Sequence, residues 1–265
     1  MNLNVRLKAT TLFLALASIS IGCRNFWTTA NAAATIDAMT ASMVLQRVAT
    51  VYATAKTYQD TGVVKPTGGG AATFLSDVPF STAYRAPDRF RFAFVAMHPV
   101  MIQTPALRGI TYRNGKDVEQ WAFSKLTAPS SLDIAIASAT GVSSSAAYNI
   151  PALLMPQLIS GRKFTDDANA ELLPETPCDR HTCYRVQESH SRGRVTEIVW
   201  IDRTSFLVRR IEYHLTLPND VTSSFSTIYQ PVINAPVADS ALELDAPTSG
   251  TGSAAQSTSS PAQPN

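Results

Sequence analysis

The hydrophobic pattern near the start of the chain predicts an amphipathic helix over residues 35–56. Its apolar side chains recur at three- and four-residue spacing, which places them on one face of an α-helix. They are Met39, Met43, Val44, Val48, Val51, Tyr52 and Ala55. Thr35 and Asp37 can cap its start. Because the polar face has almost no basic residues, the pattern favours packing on a protein core over lying on an anionic membrane.

Alternating patterns further along the chain predict antiparallel strands. In residues 89–95 three phenylalanines share one face, and Arg89 and Arg91 share the other, which is typical of a sheet with one apolar and one solvated face. Asn114 and Gly115 predict the tight turn of a hairpin formed by residues 110–113 and 118–123. The other predicted strands are residues 58–64, 78–84, 183–187, 195–201, 207–217 and 222–230.

The middle of the chain, residues 130–159, predicts two or more short helices. Pro151 can open one of them, and Gly141 and Gly161 lie near helix ends. These helices would cover the apolar face of the sheet, either as ordinary core cover or as a lid in contact with lipid. The strands that follow form a meander, open or rolled into a barrel, in which Arg209 is a misfit on the apolar side.

The N-terminus has the pattern of an export signal. Arg6 and Lys8 precede an apolar run over residues 12–21, which is about half the length of a spanning helix. Residues 20–23, Ser-Ile-Gly-Cys, resemble a bacterial lipobox that would lead to lipidation of Cys23. The alternative is cleavage by ordinary signal peptidase after the Ala-Asn-Ala of residues 30–32. The lipobox lies at the better distance from the apolar run, and the absence of Asp after Cys23 then favours the outer membrane.

Two further cysteines, Cys178 and Cys183, flank a short loop between extended stretches. In an oxidising periplasm this spacing favours a disulfide across a turn. A zinc site of Cys178, His181 and Cys183 is the alternative, but it lacks a fourth ligand nearby and needs reduced thiols.

Composition sets the domain layout. The chain has 265 residues, 45% of them hydrophobic and 16% charged, which suits one globular domain or at most two small ones. Its 22 basic and 20 acidic residues give a formal charge of +2, which does not indicate a nucleic-acid partner. We predict a signal peptide over residues 1–22 (1–32 with the alternative cleavage), a domain over residues 35–247, and a disordered tail rich in Ser, Thr, Pro and Gln over residues 248–265.

We predict no catalytic, cofactor-binding or metal-binding residues, no cofactor and no enzymatic activity. The sequence has no nucleophile elbow, zinc-protease motif, P-loop or dinucleotide fingerprint. The histidines are scattered without the spacing of metal ligands; they are His98, His181, His190 and His214. Asp166 and Asp167 are explained by a helix cap or a solvated turn.

A binding role fits the pattern better. A twisted antiparallel sheet with an aromatic face under helices encloses an apolar cleft, where acyl chains can bind. The candidate lining residues are Phe90, Phe92, Phe94, Trp121, Trp200 and Tyr213. Aromatic residues of this kind are more often ordinary core than the wall of a ligand site.

Three segments resemble the periplasmic lipoprotein-carrier superfamily of LolA- and LolB-like proteins. Residues 84–92, Tyr-Arg-Ala-Pro-Asp-Arg-Phe-Arg-Phe, resemble its R-P-x-x-F strand entry. Residues 198–212 resemble its W-I-D strand pair, and residues 225–229 with 236–244 resemble its last strand and P-D-S-x-F-x-F ending. The resemblance covers about residues 35–247. It implies an α+β fold, an open antiparallel β half-barrel with an N-terminal helix and a helical lid, and a concave apolar face that holds acyl chains.

The chain also departs from that superfamily. The arginine that precedes the proline in the carrier proper is Ala86 here, and Arg85 is one residue away and should point to the opposite face. The chain therefore resembles an uncharacterised periplasmic offshoot of the superfamily, and the identity of the ligand does not carry over.

We therefore predict an exported, monomeric, non-enzymatic protein that holds a lipid or lipid-modified ligand and acts in lipoprotein or lipid trafficking. Lipidated Cys23 would anchor it to the outer membrane on the periplasmic side. One alternative is an envelope sensor or scaffold module that binds a partner protein. Another is a hydrolase whose site has no recognisable motif.

Overall fold

The computed structural model describes residues 39–68, 76–96, 107–217 and 221–245. The chain divides after Ala38, and all described residues belong to the second unit, Met39–Asn265. The predicted signal peptide, the lipobox-like residues with Cys23, the predicted caps Thr35 and Asp37, His98 and the predicted tail all lie outside the described residues.

Within the described residues, twelve antiparallel strands form one sheet. They are β1 (Thr57–Pro66), β2 (Val78–Arg85), β3 (Arg89–Ala96), β4 (Leu107–Asn114), β5 (Asp117–Ala122), β6 (Lys125–Thr127), β7 (Glu171–Cys178), β8 (His181–His190), β9 (Val195–Asp202), β10 (Val208–Thr216), β11 (Thr222–Tyr229) and β12 (Val232–Ile233). The order across the sheet is β6-β5-β4-β3-β2-β1-β11-β10-β9-β8-β7, and β12 pairs with the start of β1.

The sheet is open, because its path ends at β6 on one side and at β7 on the other. Helices α2 (Leu132–Val142) and α3 (Ala146–Leu154) lie in the connection between these two edge strands. Together with α1 (Ala41–Ala53) they cover one face of the sheet, which we call the concave face. This confirms the predicted fold class: an open antiparallel half-barrel with an N-terminal helix and a helical layer.

Helix α1 is shorter than predicted and begins at Ala41, after Thr40, whose side chain accepts a hydrogen bond from the amide of Met43. Val44, Val48 and Tyr52 are buried as the pattern indicated. Met43 was predicted on the apolar face but is 38% exposed. Leu45 takes part in the core instead, because it lies only 100° around the helix from Val44 on the buried side.

The two central helices differ in burial. Helix α2 buries one face, whereas α3 is buried along nearly its whole length. Pro151 was predicted to open a helix but lies inside α3. Helix α3 therefore fills the middle of the half-barrel as core, and α2 borders its open side.

The face of β3 that carries Arg89 and Arg91 is only partly solvated, contrary to the prediction. Residues 234–245 cross this convex face, where Val237 and Leu242 pack on Ala83. Asp245 forms ion pairs with Arg91 and with Arg108. Arg85 also lies on this face and pairs with Asp239 at 2.7 Å, as the one-residue offset from the family motif implied.

Local irregularities account for two details of the sequence pattern. The register of β10 against β9 shifts between Val208 and Arg210, so Arg209 is the extra residue of a bulge. Its guanidinium reaches Asp202 at 3.2 Å instead of entering the core. Strand β5 ends at Ala122, one residue earlier than predicted, because Phe123 turns the chain into β6.

Candidate ligand cavities between the sheet and the helices

The three phenylalanines of β3 lie on the concave face, as predicted. Phe90 and Phe92 are fully buried and belong to the main core cluster with α1, α2 and α3. Phe92 stacks near Phe80 and Phe94, with ring centroids 5.8 and 6.0 Å away. The centre of the half-barrel is therefore filled, and of these three residues only Phe94 borders an open cavity.

Trp121 and Trp200 lie on the convex face, away from the helices. Trp121 pairs with Ile110, while its neighbour Gln120 points the other way and donates a hydrogen bond to the carbonyl of Ala135 in α2 (2.9 Å). Trp200 is sandwiched between the guanidinium groups of Arg185 and Arg210, 4.7 and 4.9 Å from its ring centre. The structure therefore does not bring the two tryptophans to the predicted cleft. The sequence pattern missed this because an aromatic residue fits either face of a strand.

Tyr213 does reach the concave face, where it borders a cavity of about 430 Å³ that we call the inner cavity. The end of α2, the start of α3, residues 162–164 and strands β8 to β11 form its walls. The lining residues are Gly141, Ser144, Ser145, Tyr148, Asn149, Arg162, Lys163, Phe164, His190, Glu197, Ile211, Tyr213, Phe225 and Thr227. The volume lies in the range of small-molecule sites.

Arg162 is held by two carboxylates at the edge of the inner cavity. Its guanidinium donates to Glu188 Oε2 at 2.7 Å and to Asp167 Oδ2 at 2.9 Å. The Glu188 side chain is completely buried. Burial, followed by the nearby charge of Glu197, raises the pKa of Glu188 to about 8, although Arg162 opposes this change.

Glu197 lies directly opposite Glu188 on the neighbouring strand and lines the inner cavity. Burial raises the pKa of Glu197 to about 7, while Arg162 lowers it. No hydrogen bond or ion pair joins its carboxyl group to any residue in the described part of the chain. The two glutamates thus retain a proton near neutral pH and titrate as a pair.

Lys163 and His190 also line the inner cavity. The ammonium group of Lys163 forms no ion pair with the residues described here. Burial, with the charge of Arg162, lowers the pKa of His190. The sequence pattern missed Arg162, Lys163, Glu188 and Glu197 as neighbours, because three separate elements bring them together.

A second cavity of about 280 Å³, the edge cavity, lies between α2 and strands β3 to β6. Most of its lining is apolar: Phe94, Leu107, Gly109, Ala122, Phe123, Ala139 and Val142. Gln120, Lys125, Thr127 and Ser138 are the polar members. At its rim Phe123 is 75% exposed and Val142 is 37% exposed.

The backbone at this rim is unusual. Phe123 and Ser124 both have positive φ angles, 51° and 60°, and form the two-residue turn between β5 and β6. Such turns normally use Asn, Asp or Gly, and a bulky residue there is uncommon.

Cys178 and Cys183 form a disulfide that closes the β7–β8 hairpin, with 5.8 Å between their Cα atoms. This agrees with the predicted pairing, and it leaves His181 beside Asp202, at 2.6 Å. Over the residues that the structure describes, no group of three or more His, Cys, Asp or Glu side chains could hold a metal ion. None of the described helices has the length and apolarity to span a membrane.

No family model and no curated protein matches the chain. Solved structures that resemble it include LprF from Mycobacterium bovis, with a TM-score of 0.45 at 12% identity over 78% of this chain and 97% of that one. A LolA superfamily protein from Nitrosomonas europaea has a TM-score of 0.32 at 12% identity over 78% and 99%.

The complex of MucA and MucB from Pseudomonas aeruginosa also resembles the chain, with a TM-score of 0.40 at 15% identity. That match covers 77% of this chain and 60% of the other, so the chain spans less than two thirds of its length. The assignment of the fold rests on the strand order itself.

Proposed function

We propose that this protein is a non-enzymatic binding protein that holds the acyl part of a lipid or lipid-modified ligand between its concave face and α2. The observation that carries the proposal is the edge cavity, which is lined mainly by apolar side chains and ends at the exposed ring of Phe123. An apolar hollow with an apolar rim suits a hydrocarbon chain that enters from solvent or from a membrane.

The expected affinity follows from the burial of methylene groups. Each buried CH₂ contributes roughly 0.8 kcal/mol, so about ten of them contribute roughly 8 kcal/mol before the cost of ordering. Before that cost is subtracted, this contribution corresponds to about micromolar affinity without any polar anchor. Release to an acceptor then requires that α2 move away from β5, to which Gln120 and Ser138 hold it by hydrogen bonds.

We further propose that the protein is exported, is anchored through lipidated Cys23 at the periplasmic side of the outer membrane, and acts there as a monomer. The support is the basic start, the apolar run and the lipobox-like residues 20–23. A role in lipid or lipoprotein trafficking follows from combining this location with an acyl-binding hollow.

The test is purification of the native protein from membranes, followed by mass spectrometry of co-purifying lipids and of the N-terminus. We expect acyl lipids in stoichiometric amount and a diacyl or triacyl modification on Cys23. A protein free of lipid that co-purifies with a protein partner would favour the scaffold alternative. A mature N-terminus at Ala33 would replace the anchored form by a soluble periplasmic one.

A further inference from the structure

The charges around the inner cavity are not all balanced by their neighbours. Arg162 directly contacts the carboxyl groups of Glu188 and Asp167, at 2.7 and 2.9 Å. Glu197 and Lys163 line the same cavity, yet neither forms an ion pair within the described residues. Glu197, on which the charge of Arg162 acts without direct contact, and the basic residue Lys163 therefore border a hollow of about 430 Å³ with no ion-pair partner among the described residues.

The two unpaired groups come from different walls. Glu197 lies on β9, in the sheet, between Glu188 of β8 and Tyr213 of β10. Lys163 precedes the short 3₁₀ helix Phe164–Asp166, and its backbone amide is fixed by Asp166 at 2.9 Å. A molecule in the cavity can therefore meet a negative group on the sheet and a positive group on the loop.

The rest of the lining is suited to the apolar part of an amphiphile. Ile211, Phe225 and Phe164 contribute apolar surface, and Tyr148 contributes an aromatic ring whose hydroxyl is already bonded to the carbonyls of Ser160 and Arg162. Ionised Glu197 would repel a free anion, and Lys163 would repel a simple cation.

We propose that the inner cavity binds the zwitterionic head group of an amine-bearing glycerophospholipid, with its ammonium on Glu197 and its phosphate on Lys163. The inference rests on the proposed lipid-binding function and adds the class of head group. The end of α2 borders both cavities, with Gly141 at the inner cavity and Val142 at the edge cavity that is proposed to hold the acyl chain. A primary ammonium can donate hydrogen bonds to the carboxylate, whereas the quaternary ammonium of a choline head group cannot. A glycerol head group offers no positive charge at all.

The test measures binding of short-chain phospholipids with matched acyl chains and ethanolamine, choline or glycerol head groups, by calorimetry on the full mature chain. We expect the ethanolamine lipid to bind roughly tenfold more tightly than the other two, as for one charge-assisted hydrogen bond. Glu197→Gln should remove this preference, and Lys163→Gln should weaken all three lipids alike. Glu119→Gln on β5 and Lys116→Gln in the β4–β5 turn are matched controls.

A pH series gives a second readout that needs no variant. The groups around Glu197 are Glu188 and His190 on β8, Tyr213 on β10, and Arg162, Lys163 and Asp167 on the loop. The carboxylate of Glu197 must be ionised to hold an ammonium, and its pKa is about 7. The preference for the ethanolamine lipid should therefore be present at about pH 8 and lost at about pH 5.

The outcomes separate the two proposals. Equal binding of the three lipids, or a preference that survives Glu197→Gln, would overturn the head-group inference and leave acyl binding intact. No binding of any lipid by the folded wild-type protein would overturn both.

Discussion

Glu188 and Glu197 lie directly opposite each other on β8 and β9, with both side chains on the concave face. Ionising both carboxyl groups in this arrangement costs free energy, because burial disfavours each charge and each charge disfavours the other. Arg162 compensates only one of them by direct contact. This relationship connects the stability of the domain to pH.

The first prediction is that stability falls as pH rises through neutrality. In the unfolded chain both glutamates ionise near the ordinary pKa of 4.5, whereas in the folded protein the values are about 8 for Glu188 and about 7 for Glu197. Between the unfolded-state pKa and the folded-state pKa values, the folded protein binds more protons than the unfolded chain does. Raising the pH over this range therefore favours unfolding. We expect the free energy of unfolding to drop by about 2 kcal/mol between about pH 6.5 and about pH 8.5.

Urea denaturation at the two pH values measures this effect. Burial raises the pKa of Asp60 to about 6. Asp60 therefore also makes stability fall as the pH rises, but mainly at pH values below the chosen window. Glu197→Gln should flatten the dependence and stabilise the protein at the higher pH, whereas Glu119→Gln should leave it unchanged. A wild-type stability that rises with pH over this window would contradict the burial of the pair.

The second prediction concerns the face of β3. Phe92 is completely buried, so Phe92→Asp places a charge in the core and should prevent folding, and Phe92→Ala should cost about 3–5 kcal/mol. Phe123→Asp is the matched control, because Phe123 is exposed and aspartate tolerates its positive φ angle. Circular dichroism and thermal melts compare them. A stable, folded Phe92→Asp protein would show that the strand face is assigned wrongly.

The third prediction concerns acyl binding at the edge cavity. Val142 lines the cavity and Ile134 does not, although both are exposed apolar residues of α2. Val142→Trp should fill part of the hollow and weaken binding of a fluorescent fatty acid roughly tenfold, with a change in stability of less than about 0.5 kcal/mol. Ile134→Trp should bind like the wild type. Equal affinities for the two variants would place the acyl chain elsewhere.

The fourth prediction concerns the disulfide. Cys178 and Cys183 are five residues apart and close the β7–β8 hairpin at an edge of the sheet. A loop this short constrains the unfolded chain modestly, so replacing both cysteines by serine should cost roughly 2 kcal/mol. Denaturation of the wild type with and without a reductant should give a similar difference, and the double variant should be insensitive to the reductant. If the double variant were as stable as the wild type, the hairpin would be equally ordered without the disulfide.

The sequence by itself determined the class of fold. Local periodicity is visible in a linear chain: the alternation of Phe90, Phe92 and Phe94 predicts a strand with one buried face, and that face is buried. Helix α1 and the hairpin at Gly115 are also predicted from patterns within short segments of the chain. The spacing of Cys178 and Cys183 likewise fits one hairpin.

Only the tertiary structure decided which residues border the cavities. Trp121, Trp200 and Tyr213 are all aromatic residues of strands, so the sequence predicts the same cleft for each of them. Strand register places the two tryptophans on the convex face. Arg162, Glu188 and Glu197 meet only because the sheet curves and the loop after α3 folds onto it. Register and long-range packing depend on residues far apart in the chain, so local sequence patterns do not predict which of these residues come into contact.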